Sequence, residues 1–340
     1  MSREQKFLSI ISGERCGIAA SLARAGLAVL EPAYAGVTAT RNKLFDTGVK
    51  AEYVLGRPTI SVGNLTTGGT GKTPIVQWLA RHLVSQGRSP AVLLRGYKSA
   101  GGISDEAELY RQIEGVDVEP DPDRVAAAAR VLQRRPETGV FLLDDAFQHR
   151  QVKRDLDIVL IDATNPFGHG HVLPRGLLRE PVAGLKRADI ILITRAEHAD
   201  EKLTAELRRL NPTAPILRCR LAIKHFLDRN GQPIGVNGDA VAAAGIGNPG
   251  VYFDQLRDLG LRLIETLALP DHETYEPSTM QQIAALLRRG RTLVVTEKDW
   301  VKLSTRPAAA DWPVARATLA VDFADGDAEI LRAEIARLFP

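Results

Sequence analysis

The run Thr59-Ile60-Ser61-Val62-Gly63-Asn64-Leu65-Thr66-Thr67-Gly68-Gly69-Thr70-Gly71-Lys72-Thr73-Pro74 restricts this chain more than any other stretch. Thr59 to Val62 is short and β-prone, the loop after it is rich in glycine, and Ile75 to Val84 carries a helical pattern. A strand, a glycine-rich loop ending in Gly-Lys-Thr, and a helix are the parts of a phosphate-binding P-loop. Glycines let backbone N–H groups turn toward a phosphate, and the helix N-terminus adds partial positive charge at the same place. In that frame Thr66, Thr67, Gly68, Gly69, Thr70 and Gly71 line the phosphates. Lys72 reaches the β- and γ-phosphates, and Thr73 offers its hydroxyl to magnesium. The general pattern begins with a glycine where this chain has Thr66. An ordinary Gly/Thr-rich turn is the competing reading. Pro74, tolerated at a helix start, favours the helix.

At 340 residues the chain is long enough for two domains. It is 44% hydrophobic and 25% charged, an ordinary globular composition. A net charge of +3 with 5% aromatics and no long basic run argues against a nucleic-acid partner. Cys16 and Cys219 have no metal-ligand spacing and fit a reducing compartment. No cleavable leader pattern is evident in Met1 to Ile11. Cys16 to Val37 is rich in Ala, Leu and Val, but Arg24 and Glu31 interrupt it and Pro32 breaks it. It is a poor transmembrane span, and reads either as an amphipathic helix on a membrane surface or as a helix packed on the protein body.

The first ~55 residues read as helical, ending near Gly48. Beyond the P-loop, short apolar runs at Pro90 to Leu94, Val140 to Leu143, Leu156 to Ile161 and Ala188 to Ile193 suit buried strands, with a further short strand at Val116 to Glu119. Helical patterns cover Glu106 to Gln112 and Val125 to Arg134. Apolar strands separated by helix or loop indicate a parallel sheet with helices on both faces. Ligands of such sheets sit at the carboxyl ends of the strands, where the Gly-Lys-Thr loop, Arg95-Gly96-Tyr97, Asp144-Asp145 and Asp162 fall. Near Ile216 the pattern changes. Ile216 to Leu221 and Lys224 to Leu227 are short and extended, with a hairpin-type turn at Asn230-Gly231. Val241 to Ile246 opens a second α/β unit that continues through helices at Val251 to Leu259 and Ser278 to Arg288 and a strand at Thr292 to Thr296. The expected domains are residues 1–50 (helical, membrane-associated), 51–215 (nucleotide-binding), 216–236 (a two-stranded β linker) and 237–340 (a smaller α/β domain).

Asp144-Asp145 closing an apolar strand supplies the carboxylates a P-loop site needs for magnesium. Acids capping the next helix are the alternative. Asp105-Glu106 after a glycine pair reads on its own as a helix N-cap, and Asp271-His272 as a surface loop pair. A histidine beside an acid can also act as, or orient, a base at neutral pH.

The segments from Val62 to Pro74, Arg95-Gly96-Tyr97, Ser104-Asp105-Glu106 and Asp144-Asp145-Ala146-Phe147-Gln148-His149 resemble, together and in order, the tetraacyldisaccharide 4'-kinase (lipid A 4'-kinase) family. Leu173 to Pro181, Ala244 to Pro249, Pro270-Asp271-His272 and Val295-Thr296-Glu297-Lys298-Asp299 extend the resemblance over nearly the whole chain. The family's loop also lacks the first P-loop glycine. Departures are Leu94 for a serine, Ala107 for a proline, and a shorter segment between Tyr97 and Ser104.

The resemblance implies a P-loop kinase-like fold and transfer of the γ-phosphate of ATP, with Mg2+, to the 4'-hydroxyl of a tetraacyldisaccharide 1-phosphate. By resemblance, Asp105 is the catalytic base and His272 its partner, with Lys72 on the transferred phosphate. Asp144, Asp145 and Glu180 are the acids around magnesium, and Glu106, His149 and Arg95 are further active-site groups. A second-domain His272 implies that domain closure completes the site. A lipid acceptor implies a membrane surface as partner, met by the helix at residues ~10–45 and by Arg41, Lys43 and Lys50. The expected location is the cytoplasmic face of the inner membrane, and no protein partner is evident. The rivals are another P-loop phosphotransferase and a nucleotide-dependent switch or GTPase, for which Thr296-Glu297-Lys298-Asp299 is a partial echo of a guanine-reading motif.

Overall fold

A computed structural model describes residues 3–96, 104–271, 273–287 and 290–339. In chain order the elements are α1 (Arg3–Ile11), α2 (Ile18–Asp46), β1 (Thr59–Asn64), α3 (Lys72–Ser85), β2 (Pro90–Leu94), α4 (Asp105–Arg111), β3 (Asp117–Pro120), α5 (Arg124–Arg134) and β4 (Val140–Asp144). They continue with β5 (Leu156–Asp162), β6 (Ile190–Thr194), α6 (Glu201–Leu210), β7 (Ile216–Leu227), β8 (Pro233–Ile234) and β9 (Asp239–Ala244). The chain ends with α7 (Pro249–Asp258), β10 (Arg262–Ala268), α8 (Pro277–Leu286), β11 (Thr292–Thr296), α9 (Glu297–Leu303), β12 (Val314–Phe323) and α10 (Asp327–Ala336).

The chain divides into two compact units. The first takes in the residues up to Arg95, Gly115–Arg220, and those from Phe323 on; the second holds Gly96–Glu114 and Leu221–Asp322. The segment that carries Asp105, assigned from sequence to residues 51–215, therefore groups with the second unit. The reason is packing: α4 lies against α9.

The first unit is built on a parallel sheet of order β7-β6-β5-β1-β4-β2-β3. Its central strands are buried along their whole length. That explains their unbroken Val/Ile/Leu character, because both faces are covered. Alternate residues serve different faces. Ala91, Leu93, Phe141 and Leu143 meet Ala127, Ala128 and Val131 of α5 in one core cluster. The α3 helix packs on β1, β2 and β4 through a fully buried stripe of Ile75, Val76, Leu79 and Leu83.

The second unit has a parallel sheet of order β10-β9-β11-β12. Val241 and Ala243 of β9 face α8 and α9, while Ala240, Ala242 and Ala244 face Tyr252, Phe253 and Leu256 of α7. The two extended runs expected between Ile216 and Leu227 are one strand of 12 residues. Its first residues pair with β6 and its last two pair antiparallel with β8 across the turn at Asn230-Gly231. The turn forms because Asp228 Oδ1 accepts hydrogen bonds from the N–H groups of Asn230 and Gln232.

Pro32 does not break the N-terminal helix: α2 runs unbroken for 29 residues. A proline removes a backbone hydrogen bond at a cost of about 3 kcal/mol, and docking of the helix on the first unit offsets this. The Glu31 carboxylate accepts from Val172 N–H at 3.0 Å, Tyr34 Oη donates to the Arg179 carbonyl at 3.1 Å, and Asn42 Nδ2 donates to Glu180 Oε2 at 2.8 Å. Among the described residues no helix is long and apolar enough to cross a membrane.

Candidate active site

The P-loop is shaped by its neighbours as much as by its own glycines. β1 places Gly63 so close to the chain after β4 that a Cβ there would lie 2.6 Å from both the backbone nitrogen and the Cβ of Phe147. Only glycine fits, and that fit brings the end of β4 up against the loop. Gly71, at φ 88°, takes the left-handed turn that starts α3. Thr66 is not among the left-handed residues and forms an antiparallel bridge with Leu178. An extended residue needs no glycine, which accounts for the departure from the general pattern. The segment around Leu178 acts as a strap, since the Thr67 N–H donates to the Leu177 carbonyl at 2.8 Å and the Arg179 N–H to the Leu65 carbonyl at 2.7 Å. From the end of β6, Thr194 Oγ1 donates to the Thr70 carbonyl at 2.9 Å and Arg195 Nη2 to the Gly69 carbonyl at 3.2 Å. These bonds use loop carbonyls and so hold them away from the side where anions bind. Thr70 Oγ1 is buried there without a hydrogen-bond partner.

The charges follow. Lys72 Nζ donates to Asn64 Oδ1 at 3.1 Å and lies 3.4 Å from Asp145 Oδ1. Asp145 sits in the left-handed region at φ 53°, a strained conformation for a non-glycine residue, and Arg179 Nη1 holds its carboxylate at 2.7 Å. Burial pushes the Asp145 carboxyl up, but Lys72 and Arg179 outweigh it, and the net result lies below the usual carboxylate range. Asp144, the last residue of β4, is buried beside it.

Arg124 is also buried, and it donates to the carbonyls of Asp121 at 2.7 Å and Asp144 at 3.4 Å. His149 follows on the same loop. Burial first, then Arg124 and Arg154, hold its imidazole down to about 4, so it is neutral at physiological pH. Arg95, at the end of β2, adds weakly to the same effect.

Glu180 is fully buried, and its carboxylate is engaged on both oxygens. Oε1 accepts from Gln148 Nε2 and from Arg187 Nη2, each at 3.0 Å, and Oε2 accepts from Asn42 and Arg187, each at 2.8 Å. Gln148 Nε2 in turn reaches the Asn64 carbonyl at 2.9 Å. Glu180 thus ties α2 to the P-loop. Among the described residues no group of three or more His, Cys, Asp or Glu side chains is placed to hold a metal by itself.

Asp105 and Glu106 open α4 in the second unit, with Ser104 as the N-cap. Asp105 is 2% exposed and its Oδ2 lies 2.7 Å from Lys302 Nζ, itself 9% exposed. Removing one partner of such a buried pair costs about 3–5 kcal/mol, because a charge is left uncompensated. Lys298 Nζ lies 3.0 Å from Asp271 Oδ1 and 3.8 Å from Glu106 Oε1. His272 lies outside the described residues. Sequence reasoning missed Asn64, Arg124, Arg179, Lys298 and Lys302 as site residues. Lys298 and Lys302 had a signal, the i, i+4 spacing that puts two cations on one helix face. Asn64 and Arg179 had one too, since they fall in the segments that carry the family resemblance, whereas the contact of Arg124 with the Asp144 carbonyl joins residues 20 apart and left no local signal.

A family model described as tetraacyldisaccharide-1-P 4'-kinase matches residues 23–337. A tetraacyldisaccharide 4'-kinase of Geobacter sulfurreducens is 36% identical over 325 residues, covering 88% of this chain and 90% of that protein. One from Chlorobaculum parvum is 33% identical over 347 residues, covering 89% and 92%. The crystal structure of an LpxK from Aquifex aeolicus in complex with ATP superposes with a TM-score of 0.76 at 27% identity, covering 93% of this chain and 99% of that one.

Proposed function

The chain belongs to the tetraacyldisaccharide-1-phosphate 4'-kinase family, and from that premise we infer that it is an ATP-dependent lipid kinase of lipid A biosynthesis. It transfers the γ-phosphate of ATP to the 4'-hydroxyl of a tetraacyldisaccharide 1-phosphate. The observation that carries this reading is a P-loop whose Lys72 is held between Asn64 and Asp145, inside a chain matched to the family from residue 23 to 337. The rival reading of Thr296-Glu297-Lys298-Asp299 as guanine-reading loses its support. Asp299 is fully buried, and its carboxylate is taken up by the Gly245 N–H and the Thr296 hydroxyl.

In the proposed reaction the 4'-oxygen bonds to the γ-phosphorus as the bond from that phosphorus to the bridging oxygen breaks. ADP leaves, and the hydroxyl proton passes to the Asp105 carboxylate. Such a reaction needs positioning and charge neutralisation more than covalent help. The loop residues Thr66 to Gly71 cradle the phosphates and Lys72 compensates the charge that spreads over the transferred group.

The donors fit magnesium, which takes oxygen ligands and is usually held by one or two carboxylates together with substrate phosphates. The Thr73 hydroxyl, Asp144 and Asp145 would hold it, and when bound it neutralises phosphate charge. Glu180, with both oxygens occupied by donors, is better placed to orient Gln148 and Asn42 than to ligate the ion. By the family resemblance we assign His149, neutral, and Arg95 a role toward the phosphates, and Glu106 and His272 a role in support of the base. The deciding assay is phosphorylation of a tetraacyldisaccharide 1-phosphate in mixed micelles with magnesium and ATP. Product at the 4'-position is expected, and its absence overturns the reading.

A bilayer-resident acceptor requires surface access, and the exposed side of α2 supports a membrane contact. Ile18, Leu22, Val29, Leu30 and Val37 are all more than half exposed. At 100° per residue they fall within an arc of about 120°. Glu31, Tyr34 and Asn42, on the opposite side, hold the helix to the rest of the first unit. We therefore place the protein as a peripheral protein on the cytoplasmic side of the inner membrane, its α2 helix lying in the interface. Changing Ile18, Leu22 and Val29 together to serine removes apolar area from this stripe while leaving the docked side intact. Flotation with anionic phospholipid vesicles is expected to fall sharply, with thermal stability nearly unchanged. Undiminished flotation of a folded triple variant removes α2 as the membrane contact.

A further inference from the structure

The segment Thr296-Glu297-Lys298-Asp299 opens α9, and the second unit fixes this helix unusually firmly. Thr296 Oγ1 caps the helix by accepting from the Asp299 N–H at 3.1 Å. The buried Asp299 carboxylate accepts from the Gly245 N–H at 3.0 Å and from the Thr296 hydroxyl at 2.6 Å. Trp300 and Leu303 are buried in the core cluster below the sheet of that unit. With its rotation set by these contacts, α9 turns Lys298 and Lys302, one helical turn apart, to the same side. There Lys302 meets Asp105, and Lys298 meets Asp271 and Glu106.

We propose that Lys302 is a positioning residue for the phosphoryl-transfer reaction: it holds the Asp105 carboxylate in its ionised, proton-accepting form and in a single orientation. Lys298 does the companion task of tying the Asp271 loop to α4. This inference rests on the reading of Asp105 as the base. The physical need is plain. Burial favours the neutral form of a carboxyl, and a neutral carboxyl cannot take the acceptor's proton. Among the described residues, the charged groups on the elements that meet at Asp105 are Glu106, Glu108 and Arg111 on α4, then Glu297, Lys298, Asp299 and Lys302 on α9, and Asp271 and Glu273 on the loop after β10. Acids outnumber bases in this set, and they too disfavour a carboxylate. Lys302, with its ammonium at 2.7 Å, is a cation placed to counter both effects.

The test is the pH dependence of kcat/KM for the lipid acceptor at saturating magnesium-ATP, on the full chain in mixed micelles. In Lys302→Met the acidic limb is expected to move up by about one to three pH units. Each unit corresponds to a roughly tenfold loss on that limb that is recovered at alkaline pH. The KM for ATP should stay near the wild-type value. Lys302→Arg, which keeps the charge, is expected to return the limb to near its wild-type position. Should the methionine variant not fold, Lys302→Gln gives the same comparison, with thermal unfolding followed at each pH. A loss of activity that is uniform with pH makes Lys302 merely structural and overturns the proposal, and so does an unshifted profile. The underlying reading is tested separately by Asp105→Asn. If that variant keeps turnover, the base is elsewhere. If it is inactive while the Lys302→Met limb stays in place, the present inference alone fails.

Discussion

Replacing Lys72 with methionine is expected to lower kcat by about 10²–10³ at saturating magnesium-ATP, the typical effect of removing one charge-stabilising donor from an active site. ATP affinity should weaken much less. Methionine keeps the apolar length of the side chain, so the loop retains its packing and loses only the cation. The charge on the transferred group spreads toward its equatorial oxygens as the bond to the bridging oxygen loosens, so the ammonium is worth more in the transition state than in the ground state. A second readout comes from Asp145, whose carboxyl lies below the ordinary range because Lys72 and Arg179 outweigh the effect of burial. As pH falls, the unfolded chain takes up this proton before the folded protein does. The pair's contribution to stability is therefore present above the ordinary carboxylate value of about 3.9 and is lost as pH drops through the lower folded value. In Lys72→Met Arg179 stays on that carboxylate, and Arg124 still acts on it electrostatically. The thermal midpoint should fall at neutral pH, and the gap to wild type should narrow in acid. A kcat within about tenfold of wild type rules out Lys72 as the main compensating charge.

The parts of this molecule that were legible in the sequence are those determined locally. Thr59 to Val84 declares its strand, loop and helix because glycine spacing and apolar runs act over a few residues. The buried strands β2, β4, β5 and β6 were readable for the same reason. Other features depend on partners far along the chain. Thr66 is extended because it bridges to Leu178. Pro32 is carried within a helix because Glu31, Tyr34 and Asn42 find partners between Val172 and Glu180. The family resemblance puts Glu180 among the acids around magnesium, and nothing local in the sequence announces that Asn42, Gln148 and Arg187 donate to its oxygens. β10 escaped notice because Arg262 and Glu265 lie within an edge strand of largely exposed residues that lacks an apolar run. Asp105-Glu106 reads locally as a helix N-cap, whereas the cap is Ser104 and the first residue of the helix is Asp105. Its distinctive feature, a buried partner on α9, arises only when α4 joins the second unit.

Asp105→Asn is expected to lower turnover by about 10²–10⁴ while ATP binding stays near wild type, because the P-loop and its charges belong to the other unit. The substitution is nearly isosteric, but it does two things together. It removes the proton acceptor, and it leaves Lys302, 9% exposed, as a buried ammonium without its counter-charge. The second effect alone predicts a loss of stability of about 3–5 kcal/mol, so reduced activity could in principle be a folding defect. The double variant Asp105→Asn/Lys302→Met separates the two. Removing both charges of a buried pair is often neutral for stability, since neither desolvation penalty remains. The thermal midpoint of the double variant should therefore return toward wild type, while turnover stays at the level of Asp105→Asn, because no carboxylate is present to accept the 4'-hydroxyl proton. If turnover recovers together with the midpoint, Asp105 serves only to neutralise Lys302 and the acceptor's proton goes to another group. If the midpoint recovers and turnover does not, the carboxylate is needed for chemistry and not merely for folding.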